Sequence, residues 1–146
     1  MIMLTSSAFK EGEPIPQEYS CRGAGINPPL QISGVPAATR SLALLVDDPD
    51  APGGDWVHWV LWNIDPKTAE IKADSVPAGS QVGKSGSGAN KYEGPCPPSG
   101  THHYKFKLYA LDKTFDLPPA SGKTEFLAAI SGHVVDLTIL TGLFQR

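Results

Sequence analysis

The sequence predicts a mostly β domain of the sandwich type, antiparallel or mixed. Three observations predict it. Apolar runs of strand length recur along the chain. Between them, 14 prolines and 15 glycines are scattered as turn signals and do not gather into a linker. Only one segment reads convincingly as a helix. The 146 residues suit a single domain, 1–146, with one core. A hydrophobic fraction of 40% is enough to fill that core, and a charged fraction of 18% is too low for a disordered chain.

The elements follow in order. "LQIS" (30–33) reads as a short strand. "SLALLVDD" (41–48) and "WVHWVLWNI" (56–64) are apolar on both faces, which predicts inner strands covered on both sides. The connection between them, "PDAPGGD", is short and favours a hairpin-like return. If the two strands pair, Asp48 and His58 lie near one sheet edge on strands about 5 Å apart.

"HHYKFKLYALD" (102–112) predicts a long strand, and its period of two sorts the side chains. His102, Tyr104, Phe106, Leu108 and Ala110 share one face. His103, Lys105, Lys107, Tyr109 and Leu111 share the other. The first face is apolar except at its start, so His102 and Tyr104 sit where a buried face opens at the edge. His103 shares its face with two lysines and is expected in solvent, with Lys105 and Lys107 as ordinary outer-face charges. Near "SGKTEFLAAISG" (121–132), Ser121 or Thr124 can cap a helix. Phe126, Leu127 and Ile130 give it an apolar stripe and Gly132 a stop. "HVVDLTILTGLF" (133–144) reads as a last strand.

Composition excludes several function classes. A formal net charge of −3 with no basic run argues against nucleic acid as a partner. No apolar run exceeds strand length, so no membrane span is predicted. The start, "MIMLTSSAFK", lacks a basic region followed by a long apolar stretch, so no signal peptide is expected. Cys21 and Cys96 lie far apart and form no C-x-x-C pair, which speaks against structural zinc. The default is a cytoplasmic protein with reduced thiols, with one disulfide between the two cysteines as the alternative. "GSQVGKS" (79–85) is one residue short of a phosphate-binding loop, and glycines break any helix after it.

Two proline-stiffened loops stand before the polar strand ends. In "DDPDAPGG" and "GPCPPSG" the rings fix φ and reduce the freedom of the unfolded loops, so side chains there are held at low ordering cost. A cis peptide bond, if the chain has one, is best placed in "CPP" (96–98). Asp50 and Asp55 read as turn formers. Trp59 and Trp62 read as core, and Trp56 as the exception.

"DDPDAP" followed closely by "WVHW", and later "GPCPPSGTHHYKFKLYALD", resemble the phosphatidylethanolamine-binding proteins, also called Raf-kinase-inhibitor-like proteins. "YSCRGAGINPPL" (19–30) and "AAISGHVV" (128–135) are similar to segments of the prokaryotic branch. The resemblance implies a β-sandwich with a large antiparallel central sheet, a smaller second sheet and short flanking helices. It also implies a compact anion pocket taking phosphate, sulfate, acetate or a phospholipid head group, with no metal or other cofactor. The residues matching that pocket are Asp48, Trp56, His58, Pro98, His102 and Tyr104, supported by Asp50, Gly94 and Cys96. A kinase or protease as an inhibited partner, and a homodimer, are further implications. Asp47 stands where some members carry an uncharged residue, and His103 where many carry arginine. The glycine- and serine-rich loop 79–91 suggests a looser pocket rim.

The chemistry of these residues fits that picture. Imidazole N–H, phenol O–H and loop amides suit phosphoryl oxygens. A carboxylate would repel an anion, so Asp48 is assigned to orient His58 or His102. Asp48, His58 and His102 also have the residue types of a two-histidine, one-carboxylate metal site. No serine sits in a G-x-S-x-G elbow, and neither cysteine has an activating neighbour in sequence. The expectation is therefore a non-enzymatic binder of anions or phosphorylated ligands. The alternatives are a small hydrolase or phosphoesterase using the His/Asp pair, and an interaction scaffold whose pocket is vestigial.

Overall fold

The computed structural model describes residues 1–146. Eight strands form two antiparallel sheets. The small sheet has order β1-β2-β5, from Met3–Thr5, Leu30–Ser33 and Glu70–Ile71. The large sheet has order β6-β4-β3-β7-β8, from Gln81–Val82, Trp56–Ile64, Ser41–Asp48, Thr101–Leu111 and Val134–Gln145. Helix α1 spans Lys123–Ile130, and one 3-10 turn lies at Gln17–Tyr19.

Period two along β3 explains why this strand is apolar throughout. Leu42, Leu44 and Val46 face the small sheet and pack with Leu4, Leu30, Ile32, Trp59 and Phe106. Ala43 and Leu45 face the other way and pack with Trp62, Tyr109 and the helix residues Phe126 and Ile130. The inner strands of the large sheet are thus buried on both faces, while β8 keeps Val135, Leu137 and Ile139 exposed. β3 pairs with β4 on one side and β7 on the other, both antiparallel, so the ends of three strands bring Asp48, Trp56 and His102 to one edge.

The same alternation separates two neighbouring acids. Asp48 falls on the small-sheet side. Asp47 falls on the helix side, fully buried, where Lys107 Nζ and Lys123 Nζ reach its Oδ2 at 3.1 and 2.9 Å. Lys107 is therefore not an ordinary outer-face charge. It is drawn inward by the buried acid. Asp55, expected only to shape a turn, pairs with Lys123 at 2.6 Å.

Other local expectations change too. Helix α1 is capped at Gly122, not Ser121 or Thr124. The Gly122 N–H donates to Glu125 Oε1 at 2.7 Å, while Ser121 is buried and its carbonyl accepts from Lys84 N–H. Leu127 lies on the exposed side of the helix. Gly132 adopts φ 82°, as a left-handed helix stop requires. Every peptide bond is trans, those in "CPP" included. The loop expected to form a loose rim is tied down: Gly83 N–H donates to Val60 O and Gly86 N–H to Val57 O, both at 2.9 Å.

The outer edge of β8 is covered at Thr141 and Leu143. Ile15 N–H and Gly12 N–H donate to the carbonyls of Leu143 and Thr141, and Leu143 N–H donates to Glu13 O. Thr141 N–H meets the Glu11 carboxylate. Further along, the Asp136 carboxylate accepts Leu137 N–H and Ile2 N–H, both at 2.9 Å. These amide contacts hold Asp136 below the ordinary carboxyl range.

Candidate ligand cleft

A cleft of about 530 Å³ opens at the edge where β3, β4 and β7 meet. Asp48, Trp56, His58, Pro98, His102 and Tyr104 all line it, as do Gly94 and Cys96. Asp50 does not. It stands one layer out, where its N–H donates to Asp48 Oδ1 at 2.9 Å and its own Oδ2 accepts from the His103 N–H at 2.8 Å. His103 Nδ1 lies 2.7 Å from the same oxygen, so His103 is exposed but paired. These bonds from His103 hold the Asp50 pKa below its ordinary value.

The sequence left two partners open for Asp48, and the structure selects His102. His102 Nδ1 lies 2.6 Å from Asp48 Oδ2, and both residues are buried. The contact fixes Nδ1 as the donor, so Nε2 is the free position of the ring. With Asp50 N–H on its other oxygen, Asp48 has both oxygens engaged.

His58 is held differently. Its Nδ1 lies 2.7 Å from the carbonyl of Glu93, which can only accept, so Nδ1 carries the proton and Nε2 is left without a protein partner. Burial pushes the His58 pKa below its ordinary value, against the pull of the Glu93 carbonyl and of Asp48. The rings of Trp56 and Tyr104 meet His58 edge-on, with centroids 4.9 and 5.1 Å away. Tyr104 is 1% exposed and its hydroxyl has no hydrogen-bond partner. Burial and the nearby Asp48 carboxylate raise its pKa. The carboxylate lies close enough to act through its field without meeting hydrogen-bond geometry.

Two glycines shape the walls. A Cβ on Gly94 would sit 2.7 Å from Tyr19 O and 2.9 Å from Ser20 backbone atoms, so only glycine lets these segments meet. A Cβ on Gly86 would sit 2.5 Å from the Trp56 ring, which places the indole against bare backbone.

The structure also adds residues that the sequence did not mark. Lys91, Tyr92 and Glu93 line the cleft, with Cys21 and the Gly23–Gly25 stretch. The Glu93 carboxylate is engaged by the hydroxyls of Ser85 and Ser87. Tyr92 donates its hydroxyl to Tyr19 O at 2.8 Å. The only signal for these residues was adjacency to "GPCPP" and "YSCRGAG". Cys21 and Cys96 are not free thiols, as expected by default. They form a disulfide, because folding brings their Cα atoms to 5.4 Å across a separation of 75 residues. Asp48, His58 and His102 do not group as a three-ligand metal cluster.

A β-sandwich with a half-buried polar cleft at one end of its large sheet is the architecture of a ligand-binding protein. The chain belongs to the phosphatidylethanolamine-binding protein family, whose model matches residues 5–145. It is similar to a UPF0098 protein of Methanothermobacter thermautotrophicus, 46% identical over 98% of each chain. It is also similar to a protein of Mycobacterium tuberculosis named as a lipoprotein, LppC, 40% identical over 99% of this chain and 72% of that one. Among solved structures, a phosphatidylethanolamine-binding protein homologue of Chlamydia trachomatis superposes with a TM-score of 0.96 at 37% identity, covering 99% and 97% of the two chains. YbcL of E. coli, described as a member of the mammalian family, superposes with a TM-score of 0.93 at 29% identity, covering 99% and 98%.

Proposed function

We propose that this chain is a non-enzymatic binder of small anions, phosphate groups on small molecules or lipid head groups among them. One observation carries the reading: His58 Nε2 and His102 Nε2 have no protein partner, and both rings line one cleft. Around them the two carboxylates are already engaged, Asp48 by His102 and Asp50 N–H, Glu93 by two serines. Their charge is therefore partly offset before a ligand arrives. Lys91 and the unpartnered Tyr104 hydroxyl add a cation and a donor.

Calorimetric titration with inorganic phosphate tests the reading. The expected result is saturable binding that weakens in His102→Ala. No binding to the wild-type protein overturns it. The buried Asp48–His102 pair favours a second reading, a small hydrolase. Turnover of a phosphate or acyl ester that disappears in His102→Ala would establish it over the first.

The partners implied by kinship follow as part of the proposal: a kinase or protease as regulated target, and a homodimer. The exposed Val135, Leu137 and Ile139 offer an apolar face for such contacts, and sedimentation analysis reads the oligomeric state. For the compartment, the cytoplasm expected from the sequence competes with an oxidising or membrane-anchored setting. The disulfide and the name of the mycobacterial relative support the latter. No helix is long and apolar enough to cross a membrane. Alkylating free thiols in intact cells before lysis separates the two placements.

A further inference from the structure

The disulfide stands where a purely structural staple has little to hold. Neither half-cystine belongs to either core cluster, and both residues are exposed. Both line the cleft. Cys21 lies on the segment that continues through Gly23, Ala24 and Gly25 along the cleft. Cys96 lies on the segment carrying Gly94, Pro97 and Pro98. The bond therefore joins two cleft-lining segments from distant parts of the chain, at a place solvent reaches.

We propose that the Cys21–Cys96 disulfide is a thiol-exchange site for dithiol reductants, and that its opening loosens the cleft and weakens anion binding. The inference rests on the anion-binding reading above. The exchange is a two-electron reduction. A thiolate of the dithiol bonds to one cystine sulfur, the S–S bond breaks, and the other cysteine leaves as a thiolate that takes up a proton. The second thiol of the reductant then displaces the first cysteine, which also gains a proton, and the reductant ends as its own disulfide.

Geometry confines the consequence to the cleft. The strands and both cores keep their contacts when this bond opens, because it crosses neither. Some ties between the two segments survive: Cys21 N–H donates to Pro95 O at 3.1 Å, and Tyr92 hydroxyl to Tyr19 O at 2.8 Å. Beyond them, Arg22, Gly23 and Ala24 on one segment, and Pro98, Ser99 and Gly100 on the other, are exposed. With the cystine intact, these stretches are ordered before the ligand arrives. With it open, residues 22–25 keep their own turn bonds to Gln17, Glu18 and Ser20, but fixing this turn against the proline segment falls on the binding step, and affinity drops.

The test compares oxidised protein with protein reduced by dithiothreitol, each titrated calorimetrically with inorganic phosphate. Reduction is verified by appearance of the two thiols of this bond. A paired variant, Cys21→Ser with Cys96→Ser, is measured alongside, and amide exchange is followed at residues 19–25 and 92–100. The expected result is a loss of about tenfold in affinity on reduction, restored by reoxidation, with faster exchange confined to those two segments. Equal affinity in oxidised and fully reduced protein overturns the proposal and leaves the anion reading standing. Absence of phosphate binding in both forms takes both down. The reduced wild-type protein decides the matter even where the paired variant fails to fold.

Discussion

His58 and Glu93 hold each other at two points. Glu93 N–H donates to the His58 carbonyl at 2.8 Å, and His58 Nδ1 lies 2.7 Å from the Glu93 carbonyl. The pairing fixes both the backbone and the ring of His58, and it leaves Nε2 as the atom a ligand meets.

Acidity is the first lever on this arrangement. Burial lowers the native His58 pKa, whereas the unfolded chain titrates near its ordinary value of about 6.5. Between those two values the unfolded chain holds the extra proton. The contribution of His58 to stability is thus complete above about 6.5 and falls as pH falls towards the lowered native value. An anion at Nε2 favours the imidazolium and opposes that loss. Thermal melts with and without sulfate are expected to show a larger stabilising increment at about pH 5.5 than at about pH 8. An increment independent of pH, or one that survives in His58→Gln, contradicts this.

Removing His102 leaves a buried carboxylate with one of its two contacts. His102→Ala should destabilise the fold by about 1–3 kcal/mol and weaken phosphate binding by about tenfold. Asp48→Ala combined with His102→Ala should cost less stability than the sum of the single changes, because the charge that lacked a partner is gone. Additive losses in denaturant titrations would mean that the 2.6 Å contact carries no coupling.

The neighbouring acid should behave in the opposite sense. Asp47 answers Lys107 and Lys123 beneath the helix, with Lys side chains about one-fifth exposed. Asp47→Ala is expected to cost about 2–3 kcal/mol, less than a fully dry pair because the lysines retain some water. Phosphate affinity should stay unchanged, since the side chain points away from the cleft. A loss of affinity without loss of stability would refute the assignment of the two acids to separate faces.

Cleft width is set at Gly86. Gly86→Ala pushes a Cβ into the Trp56 indole, and such overpacking costs about 1–3 kcal/mol where neighbours cannot yield. Trp56 is only half-buried, so the ring can turn toward the cleft. Calorimetry should then show weaker binding with a modest fall in melting temperature. Unchanged affinity would place Trp56 outside the binding surface.

Much of this was legible in the sequence because it follows from period two. Alternation along 102–111 assigned His102 and Tyr104 to a face opening at an edge. The double-sided apolar runs marked the inner strands. What alternation cannot see is contact between distant loops. Nothing local to Glu93 announces that its carbonyl fixes the His58 ring. Lys107 looked solvated because its own strand gave no sign of the buried acid on β3. For Cys21 and Cys96 the sequence leaves a disulfide as the alternative only, because 75 residues of separation give no sign that the two segments meet. The strands β1, β5 and β6 are two or three residues long, too short for any periodicity to register.

The covered margin of β8 has a practical consequence. Aggregation of β proteins commonly starts when an open margin recruits a strand from another molecule. Here residues 11–15 occupy the positions at Thr141 and Leu143 that such a recruit would need, and the Asp136 carboxylate takes the Leu137 N–H. Concentrated solutions of this protein should therefore resist fibre growth for as long as the N-terminal arm stays in place. Trimming that arm should bare the margin, and thioflavin fluorescence of the trimmed chain against the whole chain reads the expected rise in fibre growth.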